Sequence, residues 1–148
     1  MIEKFQRCHI KKCADIFFDI YSNEPFNYSW LSYKSVCEYF NDIFETPKFR
    51  GFVISFNSIV IGACIGVISD YFKIKKYRIS EIFIDRKFSD KGFGSDFISK
   101  IENTLLNEGI DVIELTTDKN ARAFGFYIKN NYSPLENNTN IIKVLRKF

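Results

Sequence analysis

The stretch best suited to chemistry is Ser89-Asp90-Lys91-Gly92-Phe93-Gly94, a polar loop after a hydrophobic run that ends near Ile84. A helical pattern starts immediately behind it. Glycines let the backbone approach a ligand closely, and a helix N-terminus offers unpaired N–H groups and a partial positive charge. Together they make an anion site suited to phosphates. The same spacing also fits a tight turn that merely starts a helix. The loop lacks the Gly-Lys-Ser/Thr ending of a Walker loop and the full Gly-x-Gly-x-x-Gly of a dinucleotide fold.

Other chemistries are disfavoured. Cys8, Cys13, Cys37 and Cys64 form no Cys-x-x-Cys pair, and His9 is the single histidine. A structural zinc site needs four close ligands, so no metal is expected. Free, mostly buried thiols in a reducing cytosol fit better, and His9 reads as a strand-end residue. The net charge of +3 suits an anionic ligand. It falls short of the basic stripe of a duplex-DNA binder, so no nucleic-acid partner is expected. Glu3, Lys4, Gln6 and Arg7 interrupt any signal peptide. The apolar run Ile59–Ile68 contains Gly62 and Gly66 and is too short to span a bilayer. The expectation is a cytoplasmic protein with no membrane partner.

The elements around the loop follow from periodicity. With 148 residues, the chain fits one domain with one hydrophobic core, and seventeen Phe and eight Tyr make that core aromatic. A first edge strand lies within Met1–Ile10. Lys11–Tyr21 reads as a helix, Ser22–Leu31 as a loop containing Pro25, and Ser32 as the N-cap of a second helix closed by Pro47. Gly51–Phe56 and Ile59–Ser69 read as strands about an Asn57-Ser58 turn, and Arg78–Asp85 as a third. Gly94–Glu108 is helical with Gly109 just past its end. Asp111–Thr116 is a strand, Asn120 caps a helix to about Asn130, and Ile141–Phe148 is a last strand. The unit from Arg78 to Thr116 implies parallel strands joined by a right-handed crossover. The short connections before it imply antiparallel pairing. The fold class is α/β, a mixed, mostly antiparallel sheet with helices on both faces.

Two segments in this order resemble the GNAT superfamily of N-acetyltransferases. The family's coenzyme A loop is Arg/Gln-x-x-Gly-x-Gly/Ala after a hydrophobic strand. Gly92 and Gly94 match it, Ile84 is the strand residue, and Ser89 replaces the usual Arg or Gln. Downstream, Asn120, Ala123 and Tyr127 coincide with Asn-x-x-Ala-x-x-x-Tyr-x-x-x-Gly-Phe. Asn131 stands for Gly, which Asn can replace because it also enters the left-handed region, and Tyr132 stands for Phe. The resemblance covers Arg78–Phe148; the first 77 residues agree in element order only.

The resemblance implies a single GNAT-like domain that moves an acetyl group from acetyl-CoA to a primary amine by direct attack in a ternary complex. It implies a strand Arg78–Asp85 that carries a bulge and splays from its neighbour, leaving a gap for the pantetheine arm. Backbone contacts to the coenzyme would come from Ile82, Phe83 and Ile84. Phosphate contacts would come from Asp90, Lys91, Gly92, Phe93, Gly94 and Ser95, with Ser89 at the position of the family's Arg or Gln. Asn120 would touch the coenzyme, and Tyr127 would sit beside its sulfur as general acid. Arg86, Lys87 and Lys91 either add attraction for the phosphates or are solvated surface cations. A lysine-like amine is neutral at pH 7 only at a cost of roughly 4.6 kcal/mol. A carboxylate must hold the ammonium and accept its proton, and Glu81 is the candidate. By family analogy the loop with Glu24, Phe26, Tyr28 and Trp30 lies at the acceptor side, where rings and a carboxylate suit a cation; the rings equally suit anchoring the loop. The acceptor is a small polyamine, an aminoglycoside-like molecule or a protein amine, and the protein a monomer or homodimer. A non-catalytic coenzyme A-binding module is the alternative.

Overall fold

The computed structural model describes residues 1–117, 121–136 and 139–146. Its elements are β1 (Ile2–Lys4), α1 (Ile10–Ser22), α2 (Tyr33–Phe44), β2 (Phe49–Phe56), β3 (Ile59–Tyr71), β4 (Ile74–Ile84), α3 (Phe93–Asn107), β5 (Val112–Thr116), α4 (Arg122–Lys129), β6 (Ser133–Pro134) and β7 (Asn140–Val144). One seven-stranded sheet runs in the order β1-β2-β3-β4-β5-β7-β6. Only β4 and β5 pair in parallel. The mixed, mostly antiparallel α/β fold expected from the sequence is the observed one.

Local chemistry accounts for the boundaries. Ser32 caps α2 by accepting from the Ser35 N–H at 3.1 Å, and Ser35 Oγ accepts in return from the Ser32 N–H. Asn57 and Ser58 both take positive φ, as a two-residue hairpin turn demands. Past α3, Gly109 adopts φ 88° and ends the helix. Asn131 takes φ 71° after α4, while the Tyr132 N–H reaches the Tyr127 carbonyl at 2.9 Å. A left-handed Asn thus does the work of the family's glycine.

Helices cover both faces and divide the core. On one face, Phe97, Ile98, Ile101 and Leu105 of α3 and Tyr127 of α4 pack with Tyr77, Ile79 and Ile113 of the sheet. On the other, Cys13, Ala14 and Ile16 of α1 and Val36 and Phe40 of α2 pack with Val53, Ile65 and Phe83. Each Ile, Leu, Val or Phe among them contributes about 1.5–3 kcal/mol through burial.

Several expectations change; the one hydrophobic core expected is two buried clusters, one on each face of the sheet. His9 is not a strand end: it closes a 3₁₀ turn (Arg7–His9) ahead of α1, and its Nδ1 accepts from the Gln6 N–H at 2.9 Å. The thiols are not mostly buried, because Cys8 is exposed and Cys37 half-buried, leaving Cys13 and Cys64 in the core. The last strand stops at Val144 and is preceded by the two-residue β6. Among the described residues no helix is long and apolar enough to cross a membrane, and no cluster of metal-ligating side chains occurs.

Candidate active site

The centre of the site is made by an irregularity in β4. Its register against β3 shifts between Ile65 and Gly66, which pair with Glu81 and Ile79 and leave Ser80 as an extra residue. A bulge reverses which face the following side chains occupy. Before it, Tyr77 and Ile79 point into the α3/α4 core; after it, Phe83 joins the α1/α2 core, and Ile82 and Ile84 face α3 and α4. Strict alternation from Tyr77 would have put Glu81 on the α3/α4 side. The bulge turns it toward α2 instead. Glycine is required opposite, since a Cβ on Gly66 would collide with the Arg78 carbonyl oxygen.

The second irregularity is a parting of strands. β4 pairs with β5 only from Lys76 to Arg78, so its last residues, through Ile84, diverge from β5. The wedge between them opens into a cleft of about 690 Å³. Ile82, Phe83 and Ile84 form one wall, and Ala123, Phe126 and Tyr127 of α4 the other. At its outer end lie Ser89, Asp90, Gly92, Gly94 and Ser95. Gly92 is the N-cap of α3 with φ 85°, and no atom lies within 4 Å of where its Cβ would be. The first α3 bond runs from the Asp96 N–H to the Gly92 carbonyl, so the N–H groups of Phe93, Gly94 and Ser95 precede the intrahelical ladder. That end is an anion cradle.

The cations near the cradle differ from those expected. Arg86 is committed to Asp19, with Nε and Nη2 at 2.8 and 2.9 Å from its two oxygens. Lys91 Nζ stands 5.9 Å from the Phe88 ring, and Phe93 packs on Phe56 and Phe88. Neither Lys91 nor Phe93 lines the cleft through its side chain. Arg122 and Lys129 of α4 do. Arg122 Nη2 is bound to both Asp90 oxygens at 2.9 Å, joining the loop before α3 to the start of α4. The Ser89 hydroxyl donates to the Arg86 carbonyl at 2.9 Å. Asn120 lies outside the described residues.

Tyr127 is 5% exposed and lines the cleft. Phe126 and Tyr132 hold its ring edge-on at 5.2 and 5.6 Å. Burial raises its pKa well above the ordinary tyrosine value, with smaller Coulombic contributions from Cys64, Tyr21 and Glu81. The phenol therefore keeps its proton throughout the neutral range.

On the opposite side of β4 a second pocket of about 460 Å³ is lined by Glu81, Tyr21, Tyr28, Trp30 and Tyr39 among others. Burial pushes the Glu81 carboxyl up to about 7, partly offset by the Tyr39 hydroxyl, which donates to Oε2 at 3.0 Å. Of the loop residues named from sequence, Tyr28 and Trp30 meet Glu81 here, Phe26 borders the larger cleft, and Glu24 is exposed and lines neither. Sequence reasoning missed Tyr39, Arg122 and Lys129. Tyr39 lies 42 residues from its partner in sequence, and no local pattern signals the pairing.

A carboxyl that titrates near neutrality on one side of β4, a protonated phenol on the other, and free helix N-terminal amides at the cleft's outer end suit acyl transfer from a phosphate-bearing carrier to an amine. Known proteins share this framework. An acetyltransferase of the GNAT family from Staphylococcus aureus Mu50 superposes with a TM-score of 0.77 at 16% identity, over 99% of both chains. An aminoglycoside 6′-N-acetyltransferase complexed with coenzyme A superposes at 0.73 and 13% identity, over 100% of this chain and 98% of the other. A tRNA(Met) cytidine acetyltransferase of Saccharolobus solfataricus is 29% identical over 68 residues, which is 46% of this chain. The chain spans only 9% of that relative's length. The model of the acetyltransferase (GNAT) family matches residues 12–132. The chain belongs to the GNAT family of acetyltransferases, acyl-CoA N-acyltransferases that use acetyl-CoA.

Proposed function

We propose that this enzyme transfers the acetyl group of acetyl-CoA directly to a primary amine held against Glu81, with Tyr127 assisting departure of the thiol. The observation that carries this reading is the placement of Glu81 and Tyr127 beside the parted end of β4. Tyr127 lines the cleft, Glu81 lines the opposite pocket, and each carries a raised pKa. The pantetheine arm lies along Ile82–Ile84, and the diphosphate sits on the amides of Phe93–Ser95 near Arg122 and Lys129. Asp90, Lys91 and Asn120 stay part of the proposed coenzyme site. The chain acts as one catalytic domain.

Glu81 binds the acceptor as an ammonium and takes its proton. Between an ordinary carboxyl at 4.5 and a lysine-like amine at ~10.4 the transfer is uphill by roughly 8 kcal/mol; from a carboxyl at about 7 it falls to roughly 5. The freed nitrogen lone pair attacks the thioester carbonyl carbon, the C–N bond forms, and the C–S bond breaks. Tyr127 donates a hydrogen bond to the sulfur as its charge develops. The thiolate resembles that of a cysteine, pKa ~8.5, so full proton transfer from a tyrosine is uphill by at least roughly 2 kcal/mol, and the raised pKa here adds to that. Hydrogen bonding therefore precedes protonation. The phenol gives its proton to the sulfur late, and the nitrogen's second proton returns to the phenolate as the amide forms. The products are the amide and the free thiol, with the first proton left on Glu81 for release to solvent.

Tyr127→Phe keeps the ring packing and removes only the donor. Its expected effect is a loss of about 10² in turnover, with acetyl-CoA affinity unchanged by calorimetry. Near-normal turnover with chemistry rate-limiting would make Tyr127 a packing residue.

A further inference from the structure

The pocket beside Glu81 has a composition that restricts which amine it accepts. Among the described residues Glu81 is its one carboxylate, and no other charged side chain lines it. The remaining surface is largely aromatic. Phe17 packs on Tyr21 at 4.4 Å, Tyr21 stacks with Tyr28 at 5.8 Å and 19°, and Tyr28 stacks with Trp30 at 5.1 Å and 24°. This row of rings leads from the core to the mouth, where Trp30 is 75% exposed. Tyr39, itself exposed, holds Glu81 through its hydroxyl. An indole so exposed at the rim of an apolar pocket is surface that a ligand can cover.

We infer that the acceptor is a small primary monoamine bearing one apolar, ring-containing body, its ammonium on Glu81 and its body along Tyr21, Tyr28 and Trp30. One carboxylate neutralises one ammonium. A further ammonium of a polyamine or an aminoglycoside would find no second carboxylate here, only the weaker attraction of the ring faces. An aromatic body instead gains offset or edge packing on rings already aligned. The pocket's 460 Å³ accommodates such a molecule with its amine on Glu81. Glu24, the nearest acidic residue in the same loop sequence, is exposed outside the pocket and does not add a second charge. This assignment rests on the acetyl-transfer reading above.

Thiol release from acetyl-CoA, measured with 2-phenylethylamine, tryptamine, spermidine, kanamycin and a lysine-containing peptide, tests it. The aromatic monoamines should exceed the other three at least tenfold in kcat/KM. Trp30→Ala, a substitution at an exposed side chain, should raise KM for tryptamine about tenfold and leave KM for acetyl-CoA unchanged. Equal or better use of spermidine, kanamycin or the peptide would overturn the inference, as would an unaltered tryptamine KM in Trp30→Ala. Acetylation of none of these amines, by protein whose melting temperature still rises with acetyl-CoA, would overturn the acceptor assignment alone. The lack of such a rise would instead overturn the acetyl-transfer reading beneath it.

Discussion

Glu81 combines a useful basicity with a cost in stability. Its carboxyl titrates at about 7 in the folded chain against an ordinary value of 4.5. Below pH 4.5 it is neutral in both folded and unfolded states and costs nothing. Between 4.5 and 7 the folded state holds the proton more tightly, so stability falls as pH rises. Above 7 the charge is buried and the penalty is complete, at most about 3 kcal/mol. Glu81→Gln should therefore melt higher than the parent at pH 8 and at the same temperature at pH 4, while turnover drops. A melting difference that does not change with pH would mean that Glu81 titrates as an ordinary carboxyl. Tyr39→Phe removes the hydrogen bond that favours the ionised form, and it should move the acid limb of the pH–rate profile to higher pH. The sequence pointed to Glu81 by its distance from Ile84. Alternation alone could not have given its face, because a bulge leaves no mark in a run such as Arg78-Ile79-Ser80-Glu81-Ile82; the bulge was implied only by the family resemblance.

At the scale of elements, the parted β4–β5 pair and the start of α3 make the cleft proposed for the coenzyme. The helix was legible from Gly92, Gly94 and Gly109 and the two strands from the apolar runs flanking it, whereas the parting of the strands was implied only by the family resemblance. Less legible was the first half of β4. It begins at Ile74, yet Lys75 and Lys76 break its apolar pattern, and the turn before it carries Phe72 at φ 57° rather than a glycine. The two-residue β6 contains Pro134, a residue that argues against strand. The link between Asp90 and Arg122 joins the α3 and α4 sides of the cradle, and it places a carboxylate where phosphates are to bind. Both side chains are well exposed, so the pair itself contributes little. Asp90→Asn releases Arg122 and removes a repulsive charge, and should lower KM for acetyl-CoA a few-fold at low ionic strength, less at high salt. Arg122→Ala should raise it. An unchanged KM in both variants would mean that the diphosphate is held by backbone amides alone.

Taken whole, the molecule is a sheet wedged open on one side of β4, with two separate cores keeping the wedge from collapsing. The α1/α2 core fixes Glu81 and the proposed acceptor pocket, while the α3/α4 core fixes Tyr127 and the amides proposed to hold the phosphates. Acetyl-CoA lying in the wedge would touch both halves and bind only the folded chain, so it must raise the melting temperature by mass action. At one hundred times its dissociation constant the gain is about 2.7 kcal/mol, or roughly 5–10 °C for a chain of this size. Gly92→Val forces a β-branched residue to a φ of 85° at the cradle and should lose most of that gain. Thermal unfolding with and without millimolar acetyl-CoA, in the parent and in Gly92→Val, is the most direct measurement. A rise of several degrees in the parent and little in the variant is the predicted result; no rise in the parent would contradict the assignment of the β4–β5 cleft as the acetyl-CoA site.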